Sequence, residues 1–406
     1  MPTLFLFTPG RIGTLTVRNR IIKAATLENM AAADGRPTDA LLHFYTTLAR
    51  GGAGLLITGF SYVNPAGRAY PRQNGAHSDE IIPGWRRITA QVHAHGAAIA
   101  MQISHGGRQI CQPGANGAVP VAPSAVRNLV TLVRPRAMTE EEIWETVQDF
   151  AAAASRVQAA GFDAVQIQAA HGYLLSAFLS PLTNRRRDGW GGSPDGRFRF
   201  LREVYLAVRR TVGPDFPVLV KLNVDDFLPG GVRLQEAKLA ARRLAALGVD
   251  ALEISGGVAE TIFFAARGEI PIDEVIRGRP LGHQALLRLL AAPQHRRVRF
   301  AEAYFLPYIR RLRPLLPTPL ILVGGMREPE RMEAILAAGE ADFIALGRPL
   351  IRQPFLPHLW EAGFRMISRC EACNRCVAAV HRGFSLRCYR TAKIGSDAPD
   401  RVPATL

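Results

Sequence analysis

An amide, an imidazole and a phenol crowd one short stretch, Gln166-Ile167-Gln168-Ala169-Ala170-His171-Gly172-Tyr173. Two N–H donors beside a phenol can polarise a carbonyl and protonate the carbon conjugated to it. If the chain turns helical there, residues three apart share a face, so Gln168 and His171 would meet, with Tyr173 two residues on. The plainer reading is a histidine that caps a loop, and spacing alone does not separate the two. Lys221 ends the apolar run Pro217–Lys221. An ammonium aimed into a fold needs an anion, because an unpaired buried charge is costly. Two further apolar runs end in glycine, Val323-Gly324-Gly325-Met326 and Ala345-Leu346-Gly347-Arg348-Pro349. Backbone without a Cβ can approach a ligand closely, and N–H groups at a helix start attract anions. Gly325 and Gly347, with charge-assisted bonds from Arg348, therefore read as a phosphate site, against the alternative of two tight turns.

Four of the five cysteines cluster as Cys370-Glu-Ala-Cys373-Asn-Arg-Cys376 and then Cys388; Cys111 is apart. C-x₂-C-x₂-C is a ligand spacing for a [4Fe–4S] cluster, and C-x₂-C alone also suits zinc. Reduced thiols with no metal are the third reading. Such a cluster is no extracellular disulfide framework.

These groups must be placed by a scaffold, and the scaffold is legible. Short apolar runs recur at Arg20–Ala25, Ala53–Thr58, Ala97–Gln102, Asp163–Ile167, Pro217–Lys221, Asp250–Ile254, Pro319–Val323 and Asp342–Leu346. Strands buried on both faces of a parallel sheet read this way. Helical patterns separate them. Thr139 and Glu142 form a capping box, with Met138 and Ile143 as its staple; Ile143, Val147, Phe150, Ala154 and Val157 then mark one apolar face. Pro329 opens another helix and Gly339 closes it. Eight strand–helix repeats predict an α/β fold, a (β/α)₈ TIM barrel over 1–365. No G-x-G-x-x-G follows an early strand, which argues against a doubly wound dinucleotide fold. The Gly/Pro-rich excursion 103–138 follows the third strand, on the catalytic side of a barrel, and reads as a lid. Residues 366–406 read as a Cys-rich appendage.

Composition narrows the classes. The 406 residues are 48% hydrophobic and 21% charged, as in an ordinary globular chain. The net charge is +16, yet only Lys23, Lys221, Lys238 and Lys393 are lysines, so 50 − 4 = 46 cations are arginines. They are spread along the chain, which favours a solvated surface over a nucleic-acid stripe. No run approaches the ~18 apolar residues of a membrane span. The start lacks a basic region before its apolar residues, and Pro9 interrupts them, so no leader and a cytoplasmic location are expected. A homo-oligomer is compatible with these features, and nothing in them fixes its size.

The sequence resembles the Old Yellow Enzyme family of FMN-dependent ene-reductases. The resemblance covers about residues 3–360. It rests on Phe7-Thr8-Pro9…Asn19-Arg20, Gln102-Ile103-Ser104-His105-Gly106-Gly107-Arg108, Ala170-His171-Gly172-Tyr173-Leu174-Leu175, Phe178-Leu179-Ser180-Pro181-Leu182-Thr183-Asn184-Arg185-Arg186, and Gly191-Gly192-Ser193 followed by Arg197. It implies FMN as cofactor, NAD(P)H as reductant and an activated alkene, typically an α,β-unsaturated carbonyl compound, as substrate. It implies that Ala25, Thr26, Gly59 and Gln102 line the flavin ring, that Lys221 faces its N1–C2=O edge, and that Gly325, Gly347 and Arg348 hold the phosphate. His171 and Gln168 would bind the substrate oxygen and Tyr173 would donate the proton. Three departures stand out. Gln168 occupies a position usually held by His; Leu27 stands where relatives carry Cys, Thr or His; and the tail is similar to the cluster segment of the 2,4-dienoyl-CoA reductase and trimethylamine dehydrogenase branch. The further FAD/nucleotide domains of that branch are not expected in a chain ending at Leu406. Two rival readings remain: an enzyme exchanging electrons through the Cys cluster, and an RNA-binding FMN barrel similar to the tRNA-dihydrouridine synthases. Against the second, no Cys stands in a mid-barrel loop.

Overall fold

The computed structural model describes residues 4–110, 119–392 and 394. Eight strands are present within about two residues of each expected run. They are β1 Ile21–Lys23, β2 Leu55–Ile57, β3 Ala98–Ser104, β4 Ala164–Ala169, β5 Val218–Asn223, β6 Ala251–Ser255, β7 Leu320–Val323 and β8 Phe343–Leu346. They pair in parallel in the order β2-β1-β8-β7-β6-β5-β4-β3, and β2 also pairs with β3, so the ring closes. Each strand leads to an outer helix: α1 Asp39–Arg50, α2 Ile82–Ala94, α3 Glu140–Ala159, α4 Pro194–Val212, α5 Leu234–Ala246, α6 Leu306–Leu312, α7 Pro329–Ala337 and α8 Leu356–Glu361. The fold is a (β/α)₈ barrel.

Side chains alternate across a strand, so every second residue points inward. Inside the barrel, Ala100, Ala164, Leu219, Ala251, Ile321 and Phe343 form one buried apolar cluster, sealed below by Ile12 and Val17 of the hairpin Gly10–Ile12/Leu15–Val17. Two residues further up, the same inward rows carry Gln102, Gln166, Lys221 and Glu253. The barrel is thus apolar low down and polar where the strands end.

The capping box of α3 is formed. Thr139 Oγ1 accepts the Glu142 N–H at 3.3 Å, and the Glu142 carboxylate accepts the Thr139 N–H at 2.9 Å. Such a cap is worth about 1 kcal/mol. The five apolar residues expected on the face of α3 are all buried. Pro329 opens α7, and Gly339, at φ +66°, follows its end.

Two regions depart from expectation. β3 runs on to Ser104, and the excursion after it is fastened to the loop following β6. Arg108 and Glu260 form a buried ion pair at 2.8 Å, and Asn128 Nδ2 donates to the Arg108 carbonyl at 3.0 Å. Residues 111–118, Cys111 included, lie outside the described residues. The tail packs onto the barrel mouth, where the helix Arg375–His381 meets the site described next. Among the described residues no helix is long and apolar enough to cross a membrane.

Candidate active site

A cleft of about 1280 Å³, counted out to its open mouth, lies over the C-terminal ends of the strands. Ala25, Thr26, Gln102, Gln168, His171, Tyr173, Lys221, Gly325, Gly347 and Arg348 all line it. Gly59 does not. Its N–H donates at 2.6 Å to the buried carboxylate of Glu28, which also accepts from Tyr45 and, at 3.0 Å, from Asn74. None of the described residues of the expected lid 103–138 lines the cleft. That wall comes from the tail instead, through Cys370, Cys376, Val380 and His381. His381 Nδ1 meets the Tyr70 hydroxyl at 2.8 Å, and burial pushes its pKa down to about 4.

Gln168 and His171 do reach one cleft, though by another route than a shared helix face. β4 continues to Ala169, so Gln168 is an inward residue of a strand. The chain then reverses through His171 at φ +63°, an uncommon conformation for a residue with a Cβ. The reversal is held by the His171 N–H, which donates to Asn223 Oδ1 at 3.0 Å, and by the His171 carbonyl, which accepts from Gln109 at 2.7 Å. The ring Nε2 lies 2.8 Å from Ser255 Oγ. Burial, and then the nearby Lys221 charge, lower the His171 pKa to about 3, so the imidazole is neutral at physiological pH. Among the described residues the buried Gln168 Oε1 has no hydrogen-bond partner. An acceptor left this way costs about 1–3 kcal/mol and calls for a donor; turned end for end, the same amide offers its N–H to an oxygen in the cleft. Tyr173 is 7% exposed, and its ring packs against Phe60 at 4.7 Å.

Lys221 finds its anion within the protein. Its Nζ donates at 2.8 Å to Glu253 Oε1, from the neighbouring register position on β6. Gln166 Nε2 donates to the other carboxylate oxygen at 2.8 Å, and Gln102 Nε2 donates to Gln166 Oε1 at 2.6 Å. One hydrogen-bonded chain thus crosses the barrel top beneath the cleft. Glu253 and Ser255 were not foreseen; the available signal was a carboxylate inside the apolar run Ala251-Leu252-Glu253-Ile254.

At the expected phosphate end, Gly324 and Gly325 both have positive φ. A Cβ on Gly325 would stand 2.2 Å from the Ala301 carbonyl oxygen, so close approach of the chain itself requires this glycine. Arg348 Nη1 donates to Asn374 Oδ1 at 2.5 Å, which ties the cleft to the tail. Cys370, Cys373, Cys376 and Cys388 line a second, smaller cavity, shared with Arg348 and Arg352. Among the described residues, no three His, Cys, Asp or Glu side chains are arranged to hold a metal ion.

FMN suits these residues: an apolar wall for a ring system, a lysine and an amide at its floor, and an arginine with two glycine turns at one end. NADH oxidase of Thermoanaerobacter brockii is 36% identical over 94% of this chain and 55% of its own length. 4,4'-Dithiodibutanoate disulfide reductase of Rhodococcus erythropolis is 35% identical over 98% of both chains. A solved complex of 2-naphthoyl-CoA reductase with 2-naphthoyl-CoA superposes with a TM-score of 0.82 at 28% identity, over 96% of this chain and 57% of that one. The chain thus spans little more than half of the first and third of these proteins. The NADH:flavin oxidoreductase / NADH oxidase profile matches residues 5–264. The barrel, its cleft and these likenesses agree with the motifs read from the sequence: the chain belongs to the NADH:flavin oxidoreductase / NADH oxidase family, which includes the Old Yellow Enzymes.

Proposed function

We propose that the protein uses NAD(P)H and bound FMN to reduce activated C=C bonds, typically in α,β-unsaturated carbonyl compounds. The observation that carries this reading is the convergence of Gln168, a neutral His171 and Tyr173 on one cleft at the strand ends. Bound FMN would supply the hydride; the protein does the rest. Ala25, Thr26, Gln102 and Lys221 would hold the ring, and Gly325, Gly347 and Arg348 the phosphate. With Ser255 Oγ as the donor to His171 Nε2, the ring proton would stand on Nδ1 and be offered to a substrate oxygen. The Gln168 amide would bind the same oxygen, and Tyr173 would protonate the carbon next to the carbonyl.

Two neutral donors then face the substrate oxygen. Gln168→His should tighten the binding of phenols, whose anionic oxygen takes the carbonyl's place, because the bound phenolate favours a proton on the new imidazole and an ion-paired bond is stronger than that of a neutral amide. The long-wavelength charge-transfer band of the flavin–phenolate complex reports the affinity. Unchanged or weaker binding would remove Gln168 from the substrate position.

The four cysteines favour a second capability, electron exchange through a [4Fe–4S] cluster. All four line one cavity, and three of them stand at the C-x₂-C-x₂-C spacing that suits such a cluster. Cys370 and Cys376 belong to both cavities, which would set such a cluster beside the cofactor.

A further inference from the structure

Lys23 is an anomaly that the proposed chemistry leaves unused. Its side chain is fully buried at the end of β1. Among the described residues its only hydrogen-bond partner is neutral: Nζ donates to Thr26 Oγ1 at 2.6 Å. No carboxylate lies within ion-pair distance of it among those residues. The nearest opposite charges are Glu28, already engaged by Tyr45, Asn74 and Gly59, and Glu253, already engaged by Lys221 and Gln166. The Phe44 ring of α1, 5.6 Å from Nζ, offers weak cation–π support. Burial pulls the ammonium down to about 8, with Glu28 and Glu253 holding it up and Lys221 opposing them, so it stays largely charged at neutral pH. A buried charge with one hydroxyl partner is expensive, and an apolar chain of the same length would fill the space at lower cost. Stability does not account for this residue.

Its geometry does. An ammonium has donors only, so Thr26 Oγ1 must accept. The hydroxyl proton of Thr26 must then go elsewhere, and no acceptor for it exists among the described residues. Thr26 stands on the cleft wall. A hydroxyl that accepts from a cation becomes a stronger donor.

We propose that Lys23 is a positioning residue for the cofactor: it fixes the Thr26 hydroxyl as a donor into the cleft, toward the flavin, and thereby makes the bound flavin easier to reduce. The inference rests on FMN occupying this cleft. Reduction adds negative charge to the ring, and a donor backed by a buried cation favours that state. Leu27 has no polar group to supply such a contact, so in this chain the task passes to its neighbour Thr26.

The test is the flavin midpoint potential of the FMN-bound protein, measured by spectroelectrochemical titration. Lys23→Met should shift it to more negative values, while the melting temperature stays level or rises. Thr26→Val should shift it in the same direction, and Thr26→Ser should restore the wild-type value. The double variant Lys23→Met/Thr26→Val should move no further than the larger single shift, because the two act in series. Unmoved potentials in Lys23→Met or Thr26→Val, or shifts that add in the double variant, overturn the proposal. If Lys23→Met fails to fold or to keep its flavin, Lys23→Gln, which keeps a donor to Thr26 without the charge, takes its place and should also shift the potential to more negative values; an unmoved potential in Lys23→Gln then overturns the proposal. A wild-type protein that binds no FMN sinks the cofactor reading and this inference with it; bound FMN with an unmoved potential sinks only the role of Lys23.

Discussion

Tyr173→Phe is expected to slow alkene reduction by about 10²–10⁴-fold, the usual contribution of a general acid, while the reduction of bound flavin by NAD(P)H is nearly unchanged. The substitution is clean because the Tyr173 ring is fixed by packing, at 4.7 Å from Phe60 in a buried wall. Phenylalanine keeps that contact and removes only the hydroxyl. The neighbours sharpen the expectation. His171 is held neutral, with a pKa near 3, so it has no spare acidic proton to give in place of the phenol. Stopped-flow measurement of the two half-reactions separates the outcomes. Equal losses in both would mean that Tyr173 shapes the cleft and does not deliver the proton.

The second large effect concerns stability. Lys221 and Glu253 are a buried pair, and Glu253 also satisfies Gln166. Glu253→Ala removes the carboxylate and leaves an uncompensated ammonium beneath the cleft. Breaking such a pair on one side costs about 3–5 kcal/mol, because the surviving charge keeps its desolvation penalty. Chemical denaturation should show this loss as a lower midpoint at a similar slope. Replacing both partners, Lys221→Met with Glu253→Leu, should recover part of the stability: no charge is stranded, although Gln166 Nε2 still lacks the acceptor it loses with Glu253. The recovered protein should still hold its flavin poorly, because Lys221 faces the cleft. A double variant as unstable as Glu253→Ala would show that the ion pair is not what the single substitution breaks.

The barrel was readable because each strand is a short apolar run buried on both faces, from Ile21–Lys23 to Phe343–Leu346. Local chemistry was equally legible: Thr139 and Glu142 formed the cap their spacing predicts. Gln168 shows where local reasoning stopped. Spacing of three suggested a helical face, but β4 runs on to Ala169, paired with β3 as far as Ile167 and with β5 through Gln168 and Ala169. Contacts between distant strands were out of reach in the same way. The link of Lys221 to Glu253 depends on register across β5 and β6, and that of Lys23 to the cleft on how the chain turns after β1. Gly59 was carried onto the cleft wall by family resemblance alone. Its N–H is instead directed at Glu28, a buried acid that no motif announces. The wall formed by Val380 and His381 depends on where the tail lands on the barrel, which no local pattern encodes.

The central claim is a flavin mononucleotide in the cleft over the strand ends. The most direct measurement is an absorption spectrum of the anaerobically purified protein, followed by heat release of the chromophore and its chromatographic identification. The expected result is a bound flavin, released as FMN in a near one-to-one ratio with the chain, with a broad iron–sulfur absorption beneath it that is absent in Cys376→Ser. FAD in the supernatant, or a protein that stays colourless after reconstitution with FMN, would contradict it.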